Sequence, residues 1–192
     1  MTPSPVKRET GIWFQLDTNR INSRQKLPYV NQLETWFDNG VIELTLSEPS
    51  MRESEQGNDS VRRHKAYRYM AWATYGDTPH EQQQMKEIEG ILFPGGTQST
   101  NQKGDVEVVF NAFKYPAILV TNDGGSKSQP GGILGKRQSL MEWSRSIRIM
   151  TDREAVSHVT YSIRRRDERA RTYHEVFGHS LPDWVGQDEP AV

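Results

Sequence analysis

The sequence predicts an α/β domain, a three-layer α/β/α sandwich with a central, mostly parallel sheet. Three observations predict it. Apolar runs of strand length alternate with segments whose apolar residues recur every three or four positions. The run Pro116-Ala117-Ile118-Leu119-Val120 is apolar throughout, as a strand covered on both faces must be. Strands that alternate with helices return in one direction, which gives a parallel sheet between helical layers. A chain of 192 residues holds one such domain and a modest extension.

In chain order, Gly11 to Leu16 reads as the first strand. Val30, Leu33, Trp36 and Phe37 then form one apolar stripe of a helix, and Val41 to Leu46 reads as the second strand. Val61 to Tyr75, with aromatics and Met70 among basic residues, reads as an amphipathic helix packed on the core; base stacking by Tyr67, Tyr69, Trp72 and Tyr75 is the rival reading. Gly95 to Gly104 reads as an exposed loop. Val106, Val109, Phe110 and Phe113 line a further helix, which Asp105 opens, and Pro116 to Val120 is the third strand. Gly124 to Gly132 reads as a loop, and Ser146 to Met150 as a fourth strand. Thr151 with Glu154 three positions on makes a capping box for the last helix, whose buried face is Ala155, Val156, Val159 and Ile163. The last ten residues read as a frayed tail.

Composition excludes several chemistries. The chain has no cysteine, hence no disulfide, thiolate metal site or Cys nucleophile, and this suits a reducing cytosol. Its longest apolar runs fall far short of the roughly 20 residues of a membrane span. Met1 to Glu9 shows no apolar core of a secretory signal, so a cytoplasmic location is expected. The net charge is −1, yet residues 136–171 carry ten Lys/Arg against five Asp/Glu. Such a band can face a polyanion or be a solvated helix face.

Ligands of open α/β sheets bind beyond the carboxyl ends of the strands. Asp17 follows the first strand, Asp123 the third, and Ser47-Glu48-Pro49-Ser50-Met51-Arg52-Glu53 the second; Asp105 opens the helix leading into the third. Singly, each has a plain reading: Asp17 or Asp105 as a helix cap, Asp123 as part of an Asn-Asp-Gly turn, Glu53 as surface. As a set at one sheet edge they would repel one another unless a cation compensated them. Oxygen-only donors select Mg²⁺ or Mn²⁺, whose chemistry suits phosphodiester hydrolysis.

These residues carry a resemblance. The order Leu16-Asp17-Thr18-Asn19, then Ser47 with Met51-Arg52-Glu53, then Gly104-Asp105-Val106 with Val109 and Ala112, then Thr121-Asn122-Asp123 resembles the PIN domain. This is a family of metal-dependent ribonucleases that includes toxin nucleases of bacterial toxin–antitoxin pairs. The resemblance covers roughly Gly11 to Val159. It implies a PIN-like domain over residues 11–160, with a basic helix and tail over 161–192. It implies an acidic metal site of Asp17, Glu53, Asp105 and Asp123, supported by Thr121 and by Asn19, which orients Asp17. Glu48 is a rival for Glu53 and Glu107 for Asp105. Asp105 and Glu107 differ by about 200° around a helix and face opposite ways.

The function so implied is a Mg²⁺- or Mn²⁺-dependent endoribonuclease that cleaves single-stranded RNA with a metal-activated water. An antitoxin or other regulatory protein, and a homodimer, are the protein partners that the resemblance admits. Arg164, Arg165, Arg166 and Arg169 are candidates for an RNA-binding surface. The alternatives are a catalytically inactive module binding RNA or protein, and a structure-specific DNA nuclease.

Two other signals fail. Gly131-Gly132-Ile133-Leu134-Gly135-Lys136-Arg137 is one residue short of a phosphate loop and has Arg137 where Ser or Thr should hold Mg²⁺. His174 and His179 are five residues apart, about 140° around a helix, and do not share a zinc-binding face.

Overall fold

The computed structural model describes residues 6–21, 24–56, 58–73, 76–125 and 130–191. Five strands, β1 (Trp13–Leu16), β2 (Glu43–Ser47), β3 (Met70–Trp72), β4 (Ile118–Val120) and β5 (Arg148–Met150), form one sheet in the order β3-β2-β1-β4-β5. Every pairing is parallel. The chain builds outward from β1 on one side, then returns to build β4 and β5 on the other. The topological switch therefore lies between β1 and β4, where the connections part and leave a crevice at the carboxyl ends.

Period-two alternation divides the core between the two faces. Phe14 and Leu16 of β1, Leu44 and Leu46 of β2, and Ile118 and Val120 of β4 pack with Leu33 and Trp36 of α1 (Pro28–Asp38) and Val156, Val159 and Ile163 of α7 (Asp152–Phe177). Leu119 and Ile149 face the other way. They pack with Ile88 and Leu92 of α4 (Pro79–Leu92), Val109 and Phe110 of α5 (Thr100–Lys114), and Ile133 and Leu140 of α6 (Gly132–Trp143). Between β2 and β3 lie α2 (Glu48–Gln56) and α3 (Ser60–Ala66). The result is the three-layer sandwich that the sequence predicts. Among the described residues no helix is long and apolar enough to cross a membrane.

The structure corrects several expectations. Val61 to Tyr75 is not one helix: α3 ends at Ala66 and the chain turns into the edge strand β3. Tyr69 is buried and donates to Glu34, which Lys65 Nζ meets at 2.6 Å, while Trp72 stacks on Tyr115 at 4.7 Å. These aromatics serve the fold; Tyr67 is exposed, and Tyr75 lies outside the described residues. Ser99 caps α5 by accepting from Gln102, so Thr100 to Gly104 is helical and Asp105 sits in the second turn instead of opening the helix. Residues 126–129 of the predicted glycine-rich loop lie outside the described set, and Gly132 already belongs to α6. The capping box of α7 forms as read, with Thr151 Oγ1 accepting from the Glu154 nitrogen at 3.2 Å. Helix α7 runs unbroken through residue 160, the expected end of the first domain.

The tail is tied down. Asp188 is 2% exposed; its carboxylate meets Arg8 Nη2 at 2.7 Å and Arg166 Nη2 at 3.0 Å, and its carbonyl accepts from Trp36 Nε1 at 2.9 Å. Arg166 is itself 2% exposed, pairs with Asp167 and lies over Trp184. Arg166 is therefore withdrawn from the candidate RNA-binding surface: its guanidinium is spent inside the fold. Arg164, Arg165 and Arg169 remain exposed, Arg164 within 3.5 Å of Glu189.

Candidate functional site

The carboxyl ends of β1 and β4 bring Asp17 and Thr121 together. The Asp17 nitrogen donates to the Val120 carbonyl at 3.0 Å, which holds the two strand ends side by side. The Thr121 hydroxyl donates to Asp17 Oδ2 at 2.6 Å and accepts from the Asp123 nitrogen at 3.0 Å. The Asn19 amide nitrogen donates to Asp17 Oδ2 at 2.6 Å. Thr121 is fully buried, and its one hydroxyl links two of the candidate acids.

Asp123 is held by the start of α6. Its Oδ1 accepts from Gly125 at 3.0 Å and its Oδ2 from the Ile133 nitrogen at 2.8 Å. Gly132, at φ +52°, makes this possible, because a Cβ there would overlap the Asp123 carboxylate.

Glu53 lies on α2, which starts immediately after β2; Ser47 Oγ accepts from the Ser50 nitrogen and ties the helix to the strand end. Asp105 comes from α5. Burial pushes the Asp105 carboxyl up to about 7, with the negative charges of Asp17, Asp123 and Glu53 acting in the same direction. Burial likewise raises Asp17, reinforced by Glu53 and Asp123 and opposed by the bonds from Thr121 and Thr18. Asp105 and Asp17 thus each feel the charges of Glu53 and Asp123.

The rival acids lie in a separate arrangement. Arg52 stands between them, 3.7 Å from Glu48 Oε1 and 2.9 Å from Glu107 Oε2. Glu48 and Glu107 share a cation, whereas Glu53 and Asp105 face further acids.

The donor set, four carboxylates and no thiolate, fits a hard divalent cation by its chemistry, and a cation would relieve the repulsion that adds to burial in raising Asp105. Among the described residues no three His, Asp or Glu side chains already stand at the spacing of one ion's ligands.

Two residues that the sequence reading passed over, Arg20 and Asp152, stand behind Asn19. Arg20 Nε donates to Asn19 Oδ1 at 2.8 Å, and Arg20 Nη1 meets Asp152 Oδ2 at 2.9 Å. Arg62 of α3 donates to the Thr18 carbonyl at 2.7 Å. Asp152 directly follows the fourth predicted strand and the Thr151 cap, the kind of position that marked Asp17, and that was its available signal.

No protein-family model matches the chain, and no curated protein matches it. Among solved structures it is similar to VapBC2 from Rickettsia felis bound to a DNA fragment from their promoter. The identity is 15%, the likeness covers 73% of this chain and 98% of that one, and the TM-score is 0.46. It is also similar to FitAB bound to the IR36 DNA fragment, at 13% identity over 72% of this chain and 94% of that one, with a TM-score of 0.44.

Proposed function

We propose that this chain is a Mg²⁺- or Mn²⁺-dependent endoribonuclease of the PIN-like kind, acting on single-stranded RNA. The observation that carries the reading is the meeting of Asp17 and Asp123 at the carboxyl ends of β1 and β4, bridged by the buried Thr121 hydroxyl, beside which burial and the charges of Asp17, Asp123 and Glu53 push the Asp105 carboxyl up to about 7. Ordinary surface acids do not gather in this way, because like charges in a partly dry crevice disfavour ionisation. Asp17, Glu53, Asp105 and Asp123 would hold the ion. Bound there, it supplies charge that polarises a phosphoryl oxygen and lowers the pKa of a coordinated water. The protein's own part is orientation. Thr121 and Asn19 fix Asp17, the head of α6 fixes Asp123, and Asp105 carries a proton near neutrality that it must release to become a ligand. Arg164, Arg165 and Arg169 extend the proposed RNA surface along α7. A regulatory protein such as an antitoxin, and a homodimer, belong to the same proposal.

A second reading is a PIN-like module that holds RNA or protein without cutting. One experiment separates them. The wild type is incubated with single-stranded RNA, single-stranded DNA and duplex substrates, with Mg²⁺, Mn²⁺ or chelator. Metal-dependent cleavage of single-stranded RNA supports the ribonuclease, cleavage of DNA instead makes it a DNA nuclease, and binding without cleavage makes it a binding module.

A further inference from the structure

The Asn19 amide can face Asp17 in two ways. Its nitrogen attracts the carboxylate, whereas its oxygen would repel it. Arg20 is the closer of two donors that decide between them: its Nε donates to Asn19 Oδ1 at 2.8 Å and the Asn122 nitrogen does so at 3.4 Å, which leaves Nδ2 to meet Asp17 Oδ2 at 2.6 Å. Arg20 is in turn fixed. Its Nη1 lies 2.9 Å from Asp152 Oδ2, and the two side chains are only 11% and 9% exposed. Asp152 is the first residue of α7 and its Oδ1 accepts from the Arg153 nitrogen at 2.8 Å, so the head of the helix fixes the carboxylate. Helix α7 is anchored in the core by Ala155, Val156, Val159 and Ile163. Asn122, with its amide turned so that both ends are satisfied, also accepts from Arg20 Nη1 at 2.9 Å.

We propose that Arg20 and Asp152 are positioning residues for Asp17, a buried ion pair that locks the Asn19 amide and so holds the Asp17 carboxylate ready for a cation. The inference rests on the metal-dependent reading above. The planar fork of Arg20 is suited to the task, because it gives one donor to Asn19 and another to Asp152 from a single rigid group. The arrangement also joins the far end of the fold to the site. The helix that follows β5 thereby sets the orientation of a side chain that follows β1.

The test uses the full chain and Mn²⁺ or Mg²⁺ alone, without substrate. Arg20→Met, Asp152→Asn and the double variant are titrated by calorimetry, and metal-free melting temperatures are recorded. Removing one member of a buried pair leaves the other uncompensated. The double variant leaves no uncompensated charge and serves where a single variant does not fold. Each variant is expected to bind the ion about tenfold more weakly than wild type. The double variant should be no weaker than the weaker single one, because residues acting through one chain of contacts are not additive. Variants that melt lower without metal yet bind it as wild type does would make the pair purely structural and overturn the inference. A loss in Arg20→Met with none in Asp152→Asn would also overturn it, leaving Arg20 to act alone. Wild type that binds neither ion would instead remove the metal-dependent reading, and the inference with it.

Discussion

The Thr121 hydroxyl donates to Asp17 Oδ2 at 2.6 Å across the junction of the two central strands. The same oxygen accepts from the Asp123 nitrogen, so one small buried side chain sets the relation between two acids whose elements are separated by most of the chain. Strand order makes this possible: β1 and β4 are neighbours because the chain, after adding β2 and β3 on one side of β1, returns to add β4 on the other.

Thr121→Val keeps the shape of the side chain and removes the hydroxyl. The lost bond lowers stability by about 1 kcal/mol. Because that bond favours the charged form of Asp17, the Asp17 carboxyl rises further and metal affinity falls about tenfold. Urea unfolding and a Mn²⁺ titration check the two effects separately.

Glu53 and Glu48 answer differently to removal of charge. Glu53→Gln is expected to abolish most cleavage and to reduce the metal-induced rise in melting temperature. Glu48→Gln removes only a partner of Arg52, an exposed contact worth less than about 1 kcal/mol, and leaves cleavage near wild type. Side-by-side cleavage rates decide it; an inactive Glu48→Gln with an active Glu53→Gln would exchange their roles.

The metal-free protein should lose stability as pH rises toward neutrality. Asp105 has an ordinary value of 3.8 and stands at about 7 in the fold. Between those values the folded state keeps a proton that the unfolded chain has released, so stability falls with rising pH, by up to about 1.4 kcal/mol per pH unit. As pH passes through about 7 the folded state ionises too, and the loss levels off about a unit above that. Asp17, raised by burial, adds in the same direction. Asp105→Asn should flatten the slope, and in wild type metal affinity should climb up to about pH 7. Unfolding curves at pH 5 to 8 test this; an unchanged slope in Asp105→Asn would place the proton elsewhere.

Much of this site was legible because strand ends are legible. The apolar runs before Asp17 and before Thr121-Asn122-Asp123 show where the sheet stops, and the acids beyond them follow. The edge strand was not legible. Met70–Trp72 is three residues long and adjoins a true helix, and its aromatics recur at spacings that a helix also satisfies. The start of α6 was hidden because Gly131 and Gly132 signal a loop, although Gly132 is needed where the Asp123 carboxylate crowds the backbone. Arg166 and Asp188 show a deeper limit. An arginine within Arg164-Arg165-Arg166 and an aspartate near the terminus look solvated until the chain closes around them, since pairing between distant residues leaves no local pattern.

That closure should be costly to break. Asp188→Ala leaves Arg166 buried beside Asp167 alone and removes the partner of Arg8. A loss of about 3–5 kcal/mol is expected, read from urea unfolding. A change below about 1 kcal/mol would mean that the tail is held chiefly by the Trp36 and Trp184 contacts instead.

The central claim is that Asp17, Glu53, Asp105 and Asp123 act as one metal-binding unit that cuts RNA. The most direct measurement is cleavage of single-stranded RNA by wild type and by Asp17→Asn, Asp105→Asn and Asp123→Asn, each with Mn²⁺, with Mg²⁺ and with chelator. The account predicts cleavage by wild type only with metal, and its near-complete loss in each variant while the fold persists. Wild type that cuts no single-stranded RNA with either metal, or that cuts equally well in chelator, would contradict it.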